Sequence, residues 1–240
     1  MKTFLQNKLR TILGVELKYV DPITNPKVLQ TRLNVGAVQR SIYFYDLFGK
    51  IKNITGDVVE CGAGLGRSLL LLSVCEDLYD NKRHIYCFDS FQRLPELSEY
   101  DVPTSRHVAI YGKGFNLKSL SYQAKEDVII EHLIRSGISQ EFISNHITFV
   151  KGFFCETLGG YSGARIALLH LDVDLYQSYK ECLEILYPKV VKGGVIAFNE
   201  YQETARFHRG AKKAIDEFFN GKEKIIKSSI YDRFYVVKST

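Results

Sequence analysis

A glycine-rich turn is the first feature of this 240-residue sequence that could do chemistry. Gly62, Gly64 and Gly66 follow a short apolar run and precede a leucine-rich helical pattern. Such a turn lets a ligand approach the backbone, and free N–H groups at the start of the next helix favour a nucleotide-like ligand. The alternative is a purely structural turn, in which the glycines only allow the helix to pack closely on the strand. Dinucleotide sites place the third glycine five positions after the first, whereas here it comes after four, which disfavours NAD.

Asp89 ends the second apolar run, 23 residues after Gly66 (89 − 66). A carboxylate at the end of a parallel strand can accept hydrogen bonds from both hydroxyls of a ribose, and this is the function we predict for Asp89. The alternative is that Asp89 caps the N-terminus of a following helix.

Acidic and amide side chains follow the fourth and fifth apolar runs. Asp172 and Asp174 come directly after one run, and Asn199 and Glu200 come directly after the other. Ligands of open parallel sheets lie beyond the carboxyl ends of the strands, so neighbouring strands would bring Asp172, Asn199 and Glu200 close to the glycine turn. These oxygen donors predict a site for a hard cation such as Mg²⁺ or Ca²⁺.

Each of these side chains also has a structural alternative. Asp172 and Asp174 alternate along an extended segment and so point to opposite sides, and one of them could cap the helix that begins near Ser178. Asn199 and Glu200 could hydrogen-bond the loop that follows. Their shared position beside a glycine turn favours the cation site.

The elements that must position these residues alternate between short apolar runs and longer helical patterns. Fully apolar strands separated by helices are typical of a parallel sheet covered on both faces, so the sequence predicts an α/β fold. The predicted strands are residues 58–61, 84–88, 147–150, 166–171 and 195–198. The predicted helices are residues 68–77, 178–187 and 210–219.

Predictions for the remaining segments complete the chain. The second helix stops at Pro188, and Gly193 and Gly194 are predicted to turn the chain into the fifth strand. Residues 225–237 predict two strands that add an antiparallel pair to the sheet edge. Residues 1–40 are predicted to form an N-terminal arm or cap, and residues 41–240 the main domain.

The composition excludes several classes of protein. An apolar content of 45% suits one buried core, and no apolar stretch reaches the roughly 20 residues that cross a bilayer. Because there is no signal-peptide pattern and the five cysteines are widely spaced, we expect a soluble, cytoplasmic protein with reduced thiols. The net charge of +5 is scattered along the chain, so neither a nucleic-acid nor a membrane partner is expected.

Several ordered blocks of sequence occur together, at residues 56–62, 88–95, 151–158, 171–178 and 186–201. Together they resemble the macrocin O-methyltransferase (TylF) family of class I S-adenosylmethionine-dependent methyltransferases. The resemblance implies a Rossmann-like α/β fold with a mostly parallel seven-stranded sheet, helices on both faces and an N-terminal helical arm. It also implies a homo-oligomer that uses Mg²⁺ to methylate a sugar hydroxyl, typically in a glycosylated natural product.

The resemblance also assigns functions to individual residues. Asp172 would be the catalytic base and a metal ligand, with Asn199 and Glu200 as the other ligands. The family usually reads Asp-Asp-Tyr where this chain reads Asn199-Glu200-Tyr201; Asn carries no charge, and Glu is one methylene longer than Asp. The cofactor-binding residues would be Glu60, Gly62, Gly64, Gly66, Ser68, Asp89, Ser90, Phe91, Gly152 and Phe153.

Other functions stay open at this point. The altered acidic pair also fits a methyltransferase without metal dependence, or a nucleoside-binding protein on the same fold that performs no chemistry. His170, in an apolar strand where a core histidine is expected, and His208 are alternative bases. Residues 96–115 form a long irregular stretch that suits a lid over the acceptor.

Overall fold

The computed structural model describes residues 34–79, 83–92, 94–102, 125–201 and 209–240. The chain divides into two compact units, Met1–Arg40 and Ser41–Thr240. Residues 34–40 are the described part of the first unit and include the first residues of a helix, α1 (Val35–Ile51). The assignment of residues 1–40 to an arm or cap remains a prediction.

In the described part of the chain, seven strands form one sheet. They are β1 (Asp57–Cys61), β2 (Ile85–Asp89), β3 (Ile147–Lys151), β4 (Ile166–Leu171), β5 (Val190–Phe198), β6 (Ile226–Lys227) and β7 (Phe234–Val237). Their order across the sheet is β3-β2-β1-β4-β5-β7-β6. Strands β1 to β5 are parallel, whereas β7 is antiparallel to both β5 and β6. The predicted mostly parallel, seven-stranded sheet is confirmed.

Helices connect the strands and cover both faces of the sheet. After α1 come α2 (Arg67–Tyr79), α3 (Glu126–Arg135), α4 (Gln140–His146), α5 (Phe154–Thr157), α6 (Tyr176–Leu186) and α7 (Arg209–Phe219). Successive strand residues point to opposite faces, so Val58 packs in the core beneath α1, α2 and α3, while Val59 packs in the core beneath α6 and α7. None of the described helices combines the length and apolarity that crossing a membrane requires.

The topology opens a crevice beside the glycine turn. The chain passes from β1 outward to β2 and β3, and then returns to β4 on the other side of β1. Such a reversal leaves a crevice at the carboxyl ends of the two central strands, where open α/β sheets bind ligands. Cys61 pairs with Leu171, and Leu171 pairs with Phe198, so β1, β4 and β5 end at the same level. The glycine turn and the acidic residues that follow these strands therefore share one edge of the sheet.

The fifth strand differs from its prediction. It begins at Val190 rather than Val195 and runs through Gly193 and Gly194, so the prediction of a turn there is wrong. The register of β5 against β4 shifts within this stretch, as in a bulge. A Cβ on Gly194 would lie 2.8 Å from the Val190 side chain, so glycine is required where the bulged strand folds closely on itself.

The C-terminal residues form the predicted antiparallel pair at the sheet edge. Phe198, the last residue of β5, pairs with Phe234, the first residue of β7. Because these strands run in opposite directions, the turn before β7 lies at the carboxyl end of β5. Residues 228–233 therefore reach the edge of the sheet where the acidic residues lie.

Candidate functional site

The three glycines of the turn have positive φ, but each meets a different environment. A Cβ on Gly62 would lie 1.9 Å from the carbonyl oxygen of Asp172, and a Cβ on Gly66 would lie 2.8 Å from the side chain of Ile129. These two glycines therefore let the turn approach the end of β4 and helix α3. A Cβ on Gly64 (φ 53) would meet no atom of the described residues within 4 Å. Gly64 is thus the glycine of this turn that leaves room for a ligand.

Gly62→Ala is expected to lower the free energy of unfolding by about 1–3 kcal/mol, because the new methyl group overlaps a backbone oxygen that cannot move without shifting β4. Chemical denaturation followed by circular dichroism measures this loss. Gly137→Ala is the matched control, since Gly137 also has positive φ (102) but its Cβ would meet none of the described atoms within 4 Å. Equal unfolding free energies for the two variants would contradict the close approach of β1 to β4.

Asp89 is hydrogen-bonded to the glycine turn. Its Oδ2 accepts from the N–H groups of Ala63 at 2.7 Å and Gly64 at 3.3 Å, and its Oδ1 accepts from Phe91 N–H at 2.7 Å. The described residues directly after β2 are not helical, so Asp89 closes a turn here and does not cap a helix. Its carboxylate stands beside Gly64, where the ribose of a nucleoside in the turn would lie within reach. Ribose binding by Asp89 stays a prediction.

Three other predicted cofactor residues lie at the ends of β2 and β3. Ser90 Oγ accepts a hydrogen bond from Gln92 N–H at 3.1 Å. Gly152 N–H donates to the carbonyl of Asp89 at 3.0 Å, which holds the end of β3 against the end of β2. Phe153 follows as the half-buried residue that precedes α5. All three border the sheet edge that carries the glycine turn.

Three further predicted cofactor residues are buried. Ser68 is enclosed in the first turn of α2, and the ring of Phe91 packs 6.2 Å from that of Phe149. Glu60 is fully buried, and its Oε1 lies 3.2 Å from Nδ1 of His170. The expectation of a core histidine at His170 is confirmed. The structure gives these side chains a packing function, and their direct contact with a cofactor remains a prediction.

Asp172, Asp174 and Glu200 form an acidic cluster at the ends of β4 and β5. One carboxylate oxygen of each lies within 4.8 Å of those of the other two. The prediction that Asp172 and Asp174 point to opposite sides is wrong, because Asp174 has φ 61 and so ends the extended run. Glu200 is buried and accepts a hydrogen bond from Tyr179 O–H at 2.6 Å. Burial, with a further contribution from the charge of Asp174, raises the pKa of Glu200.

Asn199 lies beside the acidic cluster but is not oriented as a ligand. Its Nδ2 donates to Asp172 Oδ1 and to Glu200 Oε1, both at 2.7 Å. Its Oδ1, which is the amide's acceptor, instead accepts from Nε of Arg233 at 2.9 Å. Asp172 and Glu200 come together as predicted, and Asp174 joins them; the assignment of Asn199 as a metal ligand stays a prediction.

The acidic cluster has a donor set that fits a hard divalent cation. Oxygen ligands lie about 2.1 Å from Mg²⁺, hence up to about 4.2 Å from one another, and somewhat further apart around Ca²⁺. The oxygens of the cluster lie within 4.8 Å of one another and would need only a small contraction. Carboxylate oxygens are the ligands that both ions prefer. Mg²⁺ therefore fits these three residues.

Sequence reasoning missed three residues of this site: Asp174 as a cluster member, Tyr179 and Arg233. Asp174 was visible in an Asp-x-Asp pattern, but its backbone angle was not. Tyr179 lies on the buried face of α6, where burial and the neighbouring Glu200 raise its pKa well above the ordinary value. Arg233 could have been found only from the register of β7 against β5.

The predicted lid is described in part. Asp101 is buried and accepts a hydrogen bond from the N–H of Tyr176 at 2.9 Å, so it caps the beginning of α6. The ring of Tyr100 lies 4.6 Å from that of Tyr176. This end of the segment is therefore attached to α6. Residues 103–115 of the lid, and His208, lie outside the described residues, and the lid stays a prediction.

Two relatives carry the same pattern of sequence. Demethyldecarbamoylnovobiocin O-methyltransferase of Streptomyces niveus is 28% identical over 167 residues, which are 69% of this chain and 59% of that protein. The 8-demethyl-8-(2,3-dimethoxy-alpha-L-rhamnosyl)-tetracenomycin-C 4'-O-methyltransferase of Streptomyces olivaceus is 26% identical over 149 residues, which are 62% of this chain and 54% of that protein. The chain thus spans less than two thirds of the length of these relatives.

Structural comparison and a family model agree with this relationship. The crystal structure of a calicheamicin methyltransferase has a TM-score of 0.70 at 21% identity, and the match covers 98% of this chain and 92% of that one. The Rossmann-like fold of class I methyltransferases is therefore confirmed. The model of the macrocin-O-methyltransferase (TylF) family matches residues 49–232, which include the glycine turn and the acidic cluster. The chain therefore belongs to the macrocin-O-methyltransferase (TylF) family.

Proposed function

We propose that this protein is an S-adenosylmethionine-dependent O-methyltransferase that methylates a sugar hydroxyl of a glycosylated natural product with the help of Mg²⁺. The observation that carries the proposal is the shared sheet edge of the open position at Gly64 and the acidic cluster. Family membership supports the reaction class. The name of the Streptomyces olivaceus relative, which specifies a rhamnosyl tetracenomycin, supports the class of acceptor.

The glycine turn would hold the cofactor. The nucleoside would lie against Gly64, and Asp89, which already accepts hydrogen bonds from the turn, would take the ribose hydroxyls. S-adenosylmethionine supplies an activated methyl group. The protein must therefore align an acceptor oxygen with the methyl–sulfur bond and remove the proton from that oxygen.

Asp172 is the proposed base. Its carbonyl oxygen lies against Gly62, so its side chain is close to the proposed cofactor site as well as part of the acidic cluster. When bound, Mg²⁺ lowers the pKa of a hydroxyl that coordinates it, and Asp172, Asp174 and Glu200 would hold the ion. Asp172 would then accept the hydroxyl proton over a short distance.

A second candidate is a methyltransferase that needs no metal. The N–H groups of Asn199 and the O–H group of Tyr179 already donate to the acidic cluster. In that case Asn199 and Glu200 would bind the acceptor's hydroxyls directly. The two candidates differ in whether a chelator stops turnover.

A thermal-shift screen tests the cofactor assignment. S-adenosylhomocysteine at about 100 times its Kd should add about 2.7 kcal/mol of stability. For a chain of this size, that raises the Tm by roughly 5–10 °C. NAD at the same concentration should leave the Tm unchanged, because the glycine spacing disfavours a dinucleotide. A shift with NAD but none with S-adenosylhomocysteine would contradict the assignment.

The assembly and the location of the protein are proposals of the same kind. The family resemblance supports a homo-oligomer with a small-molecule acceptor. A cytoplasmic location stays a prediction of the sequence.

A further inference from the structure

Arg233 lies in the turn between β6 and β7, and it contacts the acidic cluster through Asn199. Its Nε donates to Asn199 Oδ1 at 2.9 Å, and Asn199 Nδ2 donates to Asp172 and Glu200. We propose that Arg233 is a positioning residue, which turns the NH₂ group of Asn199 toward the acidic cluster and thereby keeps Asn199 out of the ligand set of the cation. The choice of cation rests on the proposed function, whereas the orientation of the amide does not.

The hydrogen-bonding groups around Asn199 favour one orientation of its amide. The Nε of Arg233 can only donate, and Oδ1 of Asn199 is the only side-chain acceptor that the amide has. Turning the amide by 180° would set its NH₂ group against the Arg233 N–H and its oxygen against two carboxyl groups. All three hydrogen bonds, which lie at partly buried positions, would then be lost, and losing a hydrogen-bond partner there costs free energy. Asn199 therefore remains a donor to the acidic cluster as long as Arg233 stays in place.

The C-terminal hairpin, which consists of β6, β7 and the turn between them, holds Arg233 in place. One guanidinium nitrogen donates to the carbonyl of Asp232 at 2.8 Å, and the guanidinium carbon lies 4.8 Å from the centre of the Tyr231 ring. The pairing of β7 with β5 then sets the guanidinium beside Asn199. The C-terminal hairpin is thus part of the site, although it contributes no residue to the acidic cluster.

Asn199 affects cation binding because it donates hydrogen bonds to two oxygens of the acidic cluster. Asp172 Oδ1 and Glu200 Oε1 each accept one of its N–H groups, so a cation in the acidic cluster competes with Asn199 for these oxygens. Asn199 brings a hydrogen-bond donor to these carboxylates and no charged oxygen, so we expect weaker binding of Mg²⁺ than an Asp at this position would give.

Titration calorimetry of MgCl₂ into the cofactor-free full chain tests the ligand assignment. We expect Asn199→Ala to bind Mg²⁺ at least as tightly as the unaltered protein, because a competing donor has been removed. If Asn199 were a ligand, the same change would remove an oxygen donor from the ion and weaken the binding of Mg²⁺. That result would overturn the proposal.

Arg233→Met tests the positioning step, because it frees the amide to turn its oxygen inward. We expect tighter Mg²⁺ binding than in Lys227→Met, the control, which removes a positive charge from the same hairpin at a residue paired with Asp232. In the Asn199→Ala background, the effect of Arg233→Met should shrink to that of Lys227→Met, since the amide is absent. If Arg233→Met raised the affinity for Mg²⁺ as much in that background, the increase would come from the loss of charge alone. That result would contradict the positioning function.

A second measurement does not depend on a cation. The side-chain NH₂ signals of Asn199 in a ¹H–¹⁵N spectrum are identified by their loss in Asn199→Ala. We expect slow exchange of these hydrogens with water in the metal-free protein and faster exchange in Arg233→Met. Equal exchange rates would overturn the proposal. If no variant binds Mg²⁺ while the exchange rates differ, Arg233 keeps its positioning function and the metal part of the proposed function fails.

Discussion

Asp172→Asn is expected to lower kcat for methyl transfer by about 10²–10⁴-fold, which is the usual contribution of a general base. The amide cannot accept the proton of the acceptor hydroxyl, and the acidic cluster loses one of its negative charges. The Kd for S-adenosylhomocysteine should change little, because the proposed cofactor contacts are the glycine turn and Asp89. Initial rates of methylation and calorimetry with S-adenosylhomocysteine measure the two effects separately.

Two further variants serve as a comparison and as a control for Asp172→Asn. Glu200→Gln should also abolish turnover, because it removes another carboxylate of the acidic cluster. Asp77→Asn, at an exposed position on α2, should leave both turnover and cofactor binding unchanged. Undiminished turnover in Asp172→Asn, or a loss of cofactor binding equal to the loss of turnover, would contradict the function proposed for Asp172.

Gly64→Val is expected to raise the Kd for S-adenosylhomocysteine by about 100-fold or more, equivalent to roughly 2.7 kcal/mol of binding free energy. The valine side chain would fill the open space beside the turn, where the nucleoside has to approach the backbone. Calorimetry with the purified variant measures the change in affinity.

The control for Gly64→Val is Gly221→Val. Gly221 also has positive φ (71), and a Cβ there would meet none of the described atoms within 4 Å. Each substitution should cost about 1–2 kcal/mol of stability, because valine is strained in the left-handed conformation. Only Gly64→Val should lose cofactor affinity. Normal binding of S-adenosylhomocysteine by Gly64→Val would show that the nucleoside does not occupy this turn.

The sheet and its helices could be predicted because their signals are local. Residues 166–171 are apolar apart from His170, and they form a fully buried strand with those bounds. The three predicted helices begin and end within two residues of α2, α6 and α7. Helices α3, α4 and α5 had no predicted bounds, and the start of β5 differs because Gly193 and Gly194 were interpreted as a turn. Glycine serves a bulge and a turn equally well, and only the pairing partner distinguishes them.

The site could be predicted less completely because its geometry depends on non-local contacts. The sheet topology brought Asp172 and Glu200 together as expected, since parallel strands end at one edge. Asp174 joined them through a positive φ that an Asp-x-Asp pattern does not reveal. The orientation of Asn199 is set by Arg233, 34 residues further along the chain. That contact required the register of an antiparallel edge strand, which the sequence pattern left open.

Methyl transfer with and without Mg²⁺ tests the proposed function most directly. Labelled S-adenosylmethionine would be incubated with glycosylated natural products, with either MgCl₂ or a chelator, and the product identified by NMR. We predict a methyl ether on a sugar hydroxyl and a rate that falls by about 100-fold or more in chelator, because metal assistance contributes several kcal/mol. An equal rate in chelator, or methylation at an atom other than a sugar oxygen, would contradict a Mg²⁺-assisted site at the acidic cluster.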